Sequence, residues 1–251
     1  MYYIDSHCHI YSSSCENIDK TIESAKKSRV LKMINNSENI EVSKEVIELS
    51  KKYKGILYSA IGIHPEYANY LSKDYLEILE DMIINNDIVA IGEIGLDYYY
   101  TKDNKNDQLK LFNNQLLLAE KYNLPVIIHS RDATQDTIDT LKKYKVKGVI
   151  HSFSGSYETA CIYLKMGFKL GINGVITFKN SNLKDVIKRL SIDDIILETD
   201  SPYLSPEPYR GKLNSPKNVS VIGEFLAKVF DVNISVIIEK TTKTACQIFD
   251  I

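Results

Sequence analysis

Arginine is scarce in this chain, with four residues among 251, and Lys plus Arg (31) falls just short of Asp plus Glu (33), leaving a net charge of −2. So balanced a chain has no broad cationic surface to hold long nucleic acid by bulk attraction, and any phosphate recognition must be local. Cysteine is equally sparse. Cys8, Cys15, Cys161 and Cys246 are scattered, form no Cys-x-x-Cys pair and are too few for a disulfide framework. They are expected to be reduced and mostly buried. No apolar run approaches the roughly 20 residues of a membrane span, and MYYIDSHCHI at the start carries neither a basic leader nor an apolar stretch of signal length. The chain is therefore expected in the cytoplasm, away from any membrane. No Pro- or Gly-rich linker, low-complexity tract or repeat divides it, so one domain over residues 1–251 is expected. The composition that remains, 44% hydrophobic and 25% charged, is that of an ordinary globular protein and gives collagen-like or disordered readings no support.

Short apolar runs rich in Ile, Val and Tyr recur about every 20 to 35 residues, the spacing of strand-helix units rather than of hairpins. There are eight: residues 2–5, 30–34, 56–63, 88–93, 125–129, 148–151, 168–172 and 195–199. Between them, apolar residues fall three or four apart, as at Ile18, Ile22 and Ala25, or Leu109, Phe112 and Leu116. Those stretches read as helices. Alternation implies parallel pairing, and eight units in about 250 residues match a single (β/α)₈ TIM barrel of the α/β class. An open doubly wound sheet is the alternative, because periodicity does not show closure. The segment from Ser201 to Pro216 holds four of the six prolines and reads as the longest loop, with two closing helices near 218–230 and 234–249.

All five histidines fall at or just past the carboxyl end of a predicted strand: His7 and His9, His64, His129 and His151. Strand 4 ends in Glu93 with Asp97 beyond, and strand 8 ends near Asp200 after Glu198. In parallel α/β folds that end carries the site, since the βα loops converge there over a packed core. His7 and His9 are two apart, so on an extended segment both face one side and make a chelating pair. Core histidines satisfied by backbone carbonyls are the competing reading of such a pair. Yet His129, His151, Glu93 and Asp200 join them at one end, and so many titratable groups crowded without a cation would cost several kcal/mol of desolvation.

Six ligands exceed what one tetrahedral ion takes. Two divalent ions are therefore expected, with His7, His9 and Asp200 on one, His129 and His151 on the other, and Glu93 bridging them. Mixed imidazole and carboxylate ligation suits zinc, manganese, iron or cobalt more than magnesium or calcium. Such a pair supports hydrolysis, with Asp200 placed to act as general base beside Glu93. Arg131 and Arg210 fall in loops on the same rim, and an arginine fork favours a phosphoester. Salt bridges to Asp132 or Glu207 are the plainer alternative for them. Tyr98, Tyr99, Tyr100 and Tyr203 flank that rim, where rings can stack on bases.

These residues lie in long ordered motifs: IDSHCHI (4–10), AIGIHPEY (60–67), AIGEIGLDYY (90–99), LPVIIHSRDA (124–133), GVIHSFSGS (148–156), GINGVITFK (171–179), LETDSPYLSP (197–206) and YRGKLNSP (209–216). Together they resemble the TatD-type metal-dependent deoxyribonucleases of the amidohydrolase superfamily, over nearly the whole chain. The resemblance implies a (β/α)₈ barrel with metals at positions matching His7, His9, Glu93, His129, His151 and Asp200. It also implies hydrolysis of DNA phosphodiesters with added divalent metal (zinc, manganese, magnesium or cobalt), often from a 3′ end, with single strands or 3′ ends as the partner. A monomer is the working expectation. His64, in the His-Pro motif, is expected at the site as a substrate contact, and Arg131 and Arg210 as phosphate contacts. A small-molecule amidohydrolase or lactonase, or an esterase resembling the D-aminoacyl-tRNA deacylases, stays open on the same metals. A non-catalytic metal-binding scaffold is the third reading.

Overall fold

Buried strands and amphipathic helices alternate along the computed structural model, which describes residues 1–99 and 103–251; Tyr100 lies outside them. The strands are β1 (Tyr3–Cys8), β2 (Val30–Asn36), β3 (Leu57–Ile61), β4 (Ile88–Asp97), β5 (Val126–Arg131), β6 (Gly148–Ile150), β7 (Lys169–Ile172) and β8 (Ile195–Leu197). The helices are α1 (Ile18–Lys27), α2 (Ile40–Lys52), α3 (Tyr75–Asn85), α4 (Lys105–Tyr122), α5 (Thr134–Leu141), α6 (Tyr157–Lys165), α7 (Leu183–Ile187), α8 (Val219–Phe230) and α9 (Ile234–Phe249). Side chains that satisfy orphan amides start several of them: Asn17, Asn39 and Ser156 accept the N–H of Lys20, Val42 and Thr159. Among the described residues no helix is long and apolar enough to cross a membrane.

All neighbouring strands pair in parallel, in sequence order from β1 to β8. The ring closes where β8 meets β1. Cys8 pairs in parallel with Ser201, the His9 amide donates to the Ser201 carbonyl at 2.8 Å, and the Asp200 amide donates to the His7 carbonyl at 2.9 Å. Side chains add to the seam: Ser6 Oγ donates to the Leu197 carbonyl, and the buried Asp5 carboxyl accepts both the amide (2.8 Å) and the hydroxyl (2.6 Å) of Thr199. The architecture is the expected (β/α)₈ barrel.

Inside the ring, Ile4, Ile34, Ala60, Ala90, Ile127, Val149 and Ile196 come from seven of the strands and pack into one apolar cluster. Ala245 and Phe249 of α9 plug it from below. The barrel is thus solid at its amino-terminal mouth, and polar groups can gather only at the other end. Several strands differ from their expected bounds: β1, expected over 2–5, runs to Cys8 and takes in His7, β2 and β5 run two residues further than expected, and β3 and β8 stop two residues sooner. Predicted to end at Glu93, β4 runs on to Asp97, because Gly95 pairs with His129 and Asp97 with Arg131. Gly95 makes this possible: its φ is +148°, and a Cβ there would stand 1.9 Å from the His129 carbonyl oxygen.

Removing the Asp5 carboxyl leaves the buried Thr199 amide and hydroxyl without their acceptor. Asp5→Ala is expected to cost about 3 kcal/mol, lowering Tm by some 6–12 °C for a chain of this size. Asp5→Asn, which keeps one acceptor, should lose less than half of that. Equal melting of all three proteins by calorimetry would show that the seam does not depend on this carboxyl.

Candidate metal centre

Six strands deliver polar side chains to the carboxyl-terminal mouth. His7 lies in β1 and His9 one residue past it, Glu93 and Asp97 lie in β4, and His129 in β5. His151 follows β6 by one residue, and Asp200 follows β8 by three, while His64 caps a short 3₁₀ turn beyond β3. A cavity of about 660 Å³ opens over them, lined by His9, His64, Glu93, His129, His151 and Asp200 among others. His7 is fully buried at its floor.

Glu93 stands between two sets of nitrogens. Its Oε2 is 3.2 Å from His7 Nε2 and 3.7 Å from His9 Nε2, while its Oε1 is 2.7 Å from His129 Nδ1, 3.8 Å from His151 Nε2 and 3.9 Å from His64 Nε2. Asp200 Oδ1 completes the first set, 3.8 Å from His7 Nε2 and 3.5 Å from His9 Nε2. The two imidazole nitrogens of that set face each other at 3.1 Å. Ligands about 2.0–2.2 Å from a shared ion stand roughly 3.3–3.6 Å apart at tetrahedral angles. The five measured separations, from 3.1 to 3.8 Å, match such a cage. Lone pairs aimed at one another across 3.1 Å need a proton or a cation between them, so the donor set fits a metal. His151 does not sit beside His129 alone: its ring stacks on His7 with centroids 3.5 Å apart, against 6.5 Å to His129, and its Nε2 is 3.7 Å from Asp200 Oδ1.

The far nitrogens of these rings are held. His9 Nδ1 is 3.2 Å from the Asn36 carbonyl, His129 Nε2 is 3.0 Å from Asp97 Oδ2, and His64 Nδ1 accepts the Glu66 N–H at 3.3 Å. Those partners assign the protons: His9 keeps its Nε2 lone pair toward Asp200, and His64 carries its N–H on the cavity side. Burial would push His129 down, but its bonds to Asp97 and Glu93 outweigh that and raise it to about 9. Burial likewise opposes, and Glu198, Asp200 and Glu93 overcome, the shift that takes His151 up to about 10. His64 moves the other way, to about 3, through burial and the neighbouring His129. Burial alone would raise Glu93, yet His7, His151 and the His129 bond hold it well below the usual carboxylate range.

The residues expected to touch substrate are spread more widely. Arg131 lines the cavity with its guanidinium 3.7 Å over the Tyr99 ring. Arg210 lies 3.8 Å over Phe178 and does not line the cavity among the described residues. Tyr203 is 57% exposed, lines the cavity and meets the His9 ring edge-on at 6.1 Å, whereas Tyr98 is buried with its hydroxyl on Asp136. Asp97 and Glu198 had no role in the expectations from sequence, although each repeats a legible pattern. Asp97 falls four residues after Glu93 in β4, and Glu198 two residues before Asp200 past β8, an even spacing that the sequence already shows. Glu38 and Glu66 also line the cavity, with nothing in the sequence to announce them.

A solid parallel barrel with imidazoles and acids gathered over its carboxyl-terminal mouth is the architecture of a metal-dependent hydrolase. The chain belongs to the TatD family: the family described as TatD related DNase matches residues 4–250. It is similar to an uncharacterized metal-dependent hydrolase of Bacillus subtilis, YabD (36% identity, 98% of each chain), and to one of Escherichia coli, YcfH (33%, covering 100% of this chain and 97% of the relative). The crystal structure of YjjV, a TatD homolog from Escherichia coli, superposes with a TM-score of 0.93 at 30% identity, over 99% of this chain and 98% of the other.

The protonated rings make a pH prediction for the metal-free chain. His129 and His151 sit above their ordinary 6.5 when folded, so they add stability that is complete below about pH 6.5 and is lost as pH rises through about 9 and 10. His64 contributes oppositely, and its share disappears only as pH falls toward about 3. Tm of the metal-free protein is therefore expected to fall from pH 7 to 10, while metal uptake releases protons and tightens with rising pH. Calorimetry across that range, with metal titrations in buffers of different ionisation heat, checks both. A flat Tm together with proton-neutral uptake would contradict the assignment.

Proposed function

We propose that the chain hydrolyses phosphodiester bonds of DNA, acting on single strands from a 3′ end, with two divalent ions shared through Glu93. The observation that carries this reading is the division of the Glu93 carboxylate, Oε2 toward His7 and His9 and Oε1 toward His129 and His151. His7, His9, Asp200 and Glu93 would hold one ion, and Glu93, His129 and His151 the other. Divalent ions, when bound, supply Lewis-acid polarisation of a phosphoryl oxygen and bring the ionisation of water near neutral pH.

The chain's own groups do the rest. Asp200 Oδ1 faces the cavity beside His9 and His151, where it can accept the proton of an attacking water. The Nε2–H of neutral His64 points to the same space and can donate to a substrate oxygen. Arg131, stacked on the Tyr99 ring, lines the cavity, where a guanidinium is suited to a phosphate. Tyr203 offers an exposed ring at the opening on which an unpaired base can stack. Arg210, on Phe178 beyond the cavity, would meet phosphates further along the strand. DNA as substrate draws support from the family description, TatD related DNase.

Release of nucleotides from single-stranded DNA in manganese or magnesium tests the reading. Glu93→Ala is expected to lower kcat by at least about 10³-fold, since it removes a ligand from both ions together, and a chelator should abolish the reaction. Arg131→Ala should raise KM about tenfold, equivalent to about 1.4 kcal/mol, with kcat little changed. Equal rates for wild type and Glu93→Ala would defeat the metal role. Turnover of lactones, lactams or aminoacyl esters far above that of DNA would replace the substrate.

A further inference from the structure

Beneath the donor atoms lies a drier polar layer that the reaction above does not use. Glu198, the first residue past β8, is fully buried. Its Oε1 accepts the Ser152 N–H at 2.7 Å and stands 3.0 Å from His151 Nδ1 and 3.5 Å from Asn173 Nδ2. Asn173 Nδ2 in turn donates to Ser152 Oγ at 2.8 Å. Ser152 adopts a φ of +49°, an uncommon backbone for serine, and its amide is the shortest contact on Glu198. The other oxygen, Oε2, occupies the place of a missing side chain: a Cβ on Gly171 would lie 2.2 Å from it.

This layer also contains buried polar atoms with no hydrogen-bond partner among the described residues: His7 Nδ1, His151 Nδ1 and Glu198 Oε2. One ligand-type atom from each of these three residues lies within 4.8 Å of the others. The His151 Nδ1 atom is within range of Glu198 Oε1 but off hydrogen-bond alignment, so a small turn of the ring makes an N–H···O bond there. An imidazole has two nitrogens, and a fixed carboxylate at one places the proton there and leaves the other as a stronger donor.

We propose that Glu198 is a positioning residue: its buried carboxylate holds the proton on His151 Nδ1, so that Nε2 presents its lone pair toward Glu93 and Asp200. The proposal rests on the reading of His151 as a metal ligand. Gly171 provides the room, and Ser152 and Asn173 keep the carboxylate from turning away. Strands β6, β7 and β8 thereby set the aim of one ring by backbone geometry.

The test uses the full-length protein loaded with Co²⁺, in which exchangeable N–H protons of ligating histidines give strongly shifted NMR signals. Glu198→Gln keeps the shape and removes the charge; Gly171→Ala keeps the charge and displaces the carboxylate. In wild type, one shifted N–H signal should exchange slowly with water. In both variants that signal should exchange faster, and Co²⁺ affinity, measured against a competing chelator, should fall about 10–100-fold. Should Glu198→Gln not fold, Gly171→Ala carries the comparison alone. A folded variant with unchanged affinity and unchanged exchange overturns the positioning role while leaving His151 a ligand. No shifted histidine signals in wild type would overturn the ligand reading and the proposal together. An additional ion per chain in wild type, lost in Glu198→Gln, would make Glu198 a ligand and equally overturn it.

Discussion

The seam between β8 and β1 is the constraint on which the rest of the molecule depends. Seven strand pairs form by ordinary parallel ladders, but the eighth is made by residues of the site itself: the Asp200 amide on the His7 carbonyl, and the His9 amide on the Ser201 carbonyl. Closing the barrel and bringing Asp200 to the histidine pair are therefore one event. A parallel ladder between distant chain ends carries a large loop-closure cost. The buried Asp5 carboxyl, which binds Thr199 through two oxygens, offsets part of that cost at the point where it falls due.

With the ring closed, crowding becomes the dominant electrostatic fact. Glu93, Asp97, His7, His9 and His151 are buried and His129 half-buried, so their charges and dipoles meet at the cavity floor with little water between them. Such a cluster is tolerable only if every nitrogen has an assigned direction. Asn36 does this for His9, Asp97 for His129 and the Glu66 amide for His64. The lone pairs that remain converge on either side of Glu93. Specificity for a cation thus arises less from the ligands as a set than from what stands behind each of them.

Most of the barrel was legible in the sequence because strands buried on both faces must be apolar runs, and eight such runs leave few alternatives. The histidines were legible for a related reason: polar residues at the end of a core strand have only the mouth to occupy. Less could be read where spacing and space part company. The apolar run of β4 ends at Glu93, yet Gly95 lets the chain pass within reach of His129 and carry Asp97 to that ring. His151 was paired with His129 by strand order, but its ring packs on His7 across the mouth, a proximity set by loop direction after β6. Arg210 sits in a proline-rich loop whose path no periodicity describes, and its place over Phe178 had no signal.

Two kinds of positive charge compete for the acids of this cavity. Without metal, protons on His129 and His151 offset only part of the acid charge of Glu93, Asp97, Glu198 and Asp200, while Glu38, Glu66 and Arg131 also line the cavity. That arrangement has little net attraction for a phosphodiester, and a chain of net charge −2 adds none from afar. On the proposed reading, two divalent cations would replace those two protons with twice their charge and leave the imidazoles neutral. The field at the cavity floor would then turn positive where the donor atoms converge, with the acids Glu38 and Glu66 also lining the cavity. On the proposed reading, a strand of DNA would be drawn inward to one phosphate rather than held along its length. The same balance would account for a nuclease built with four arginines: the sign of its field would be supplied locally, by what the histidines and Glu93 hold, and not by its surface.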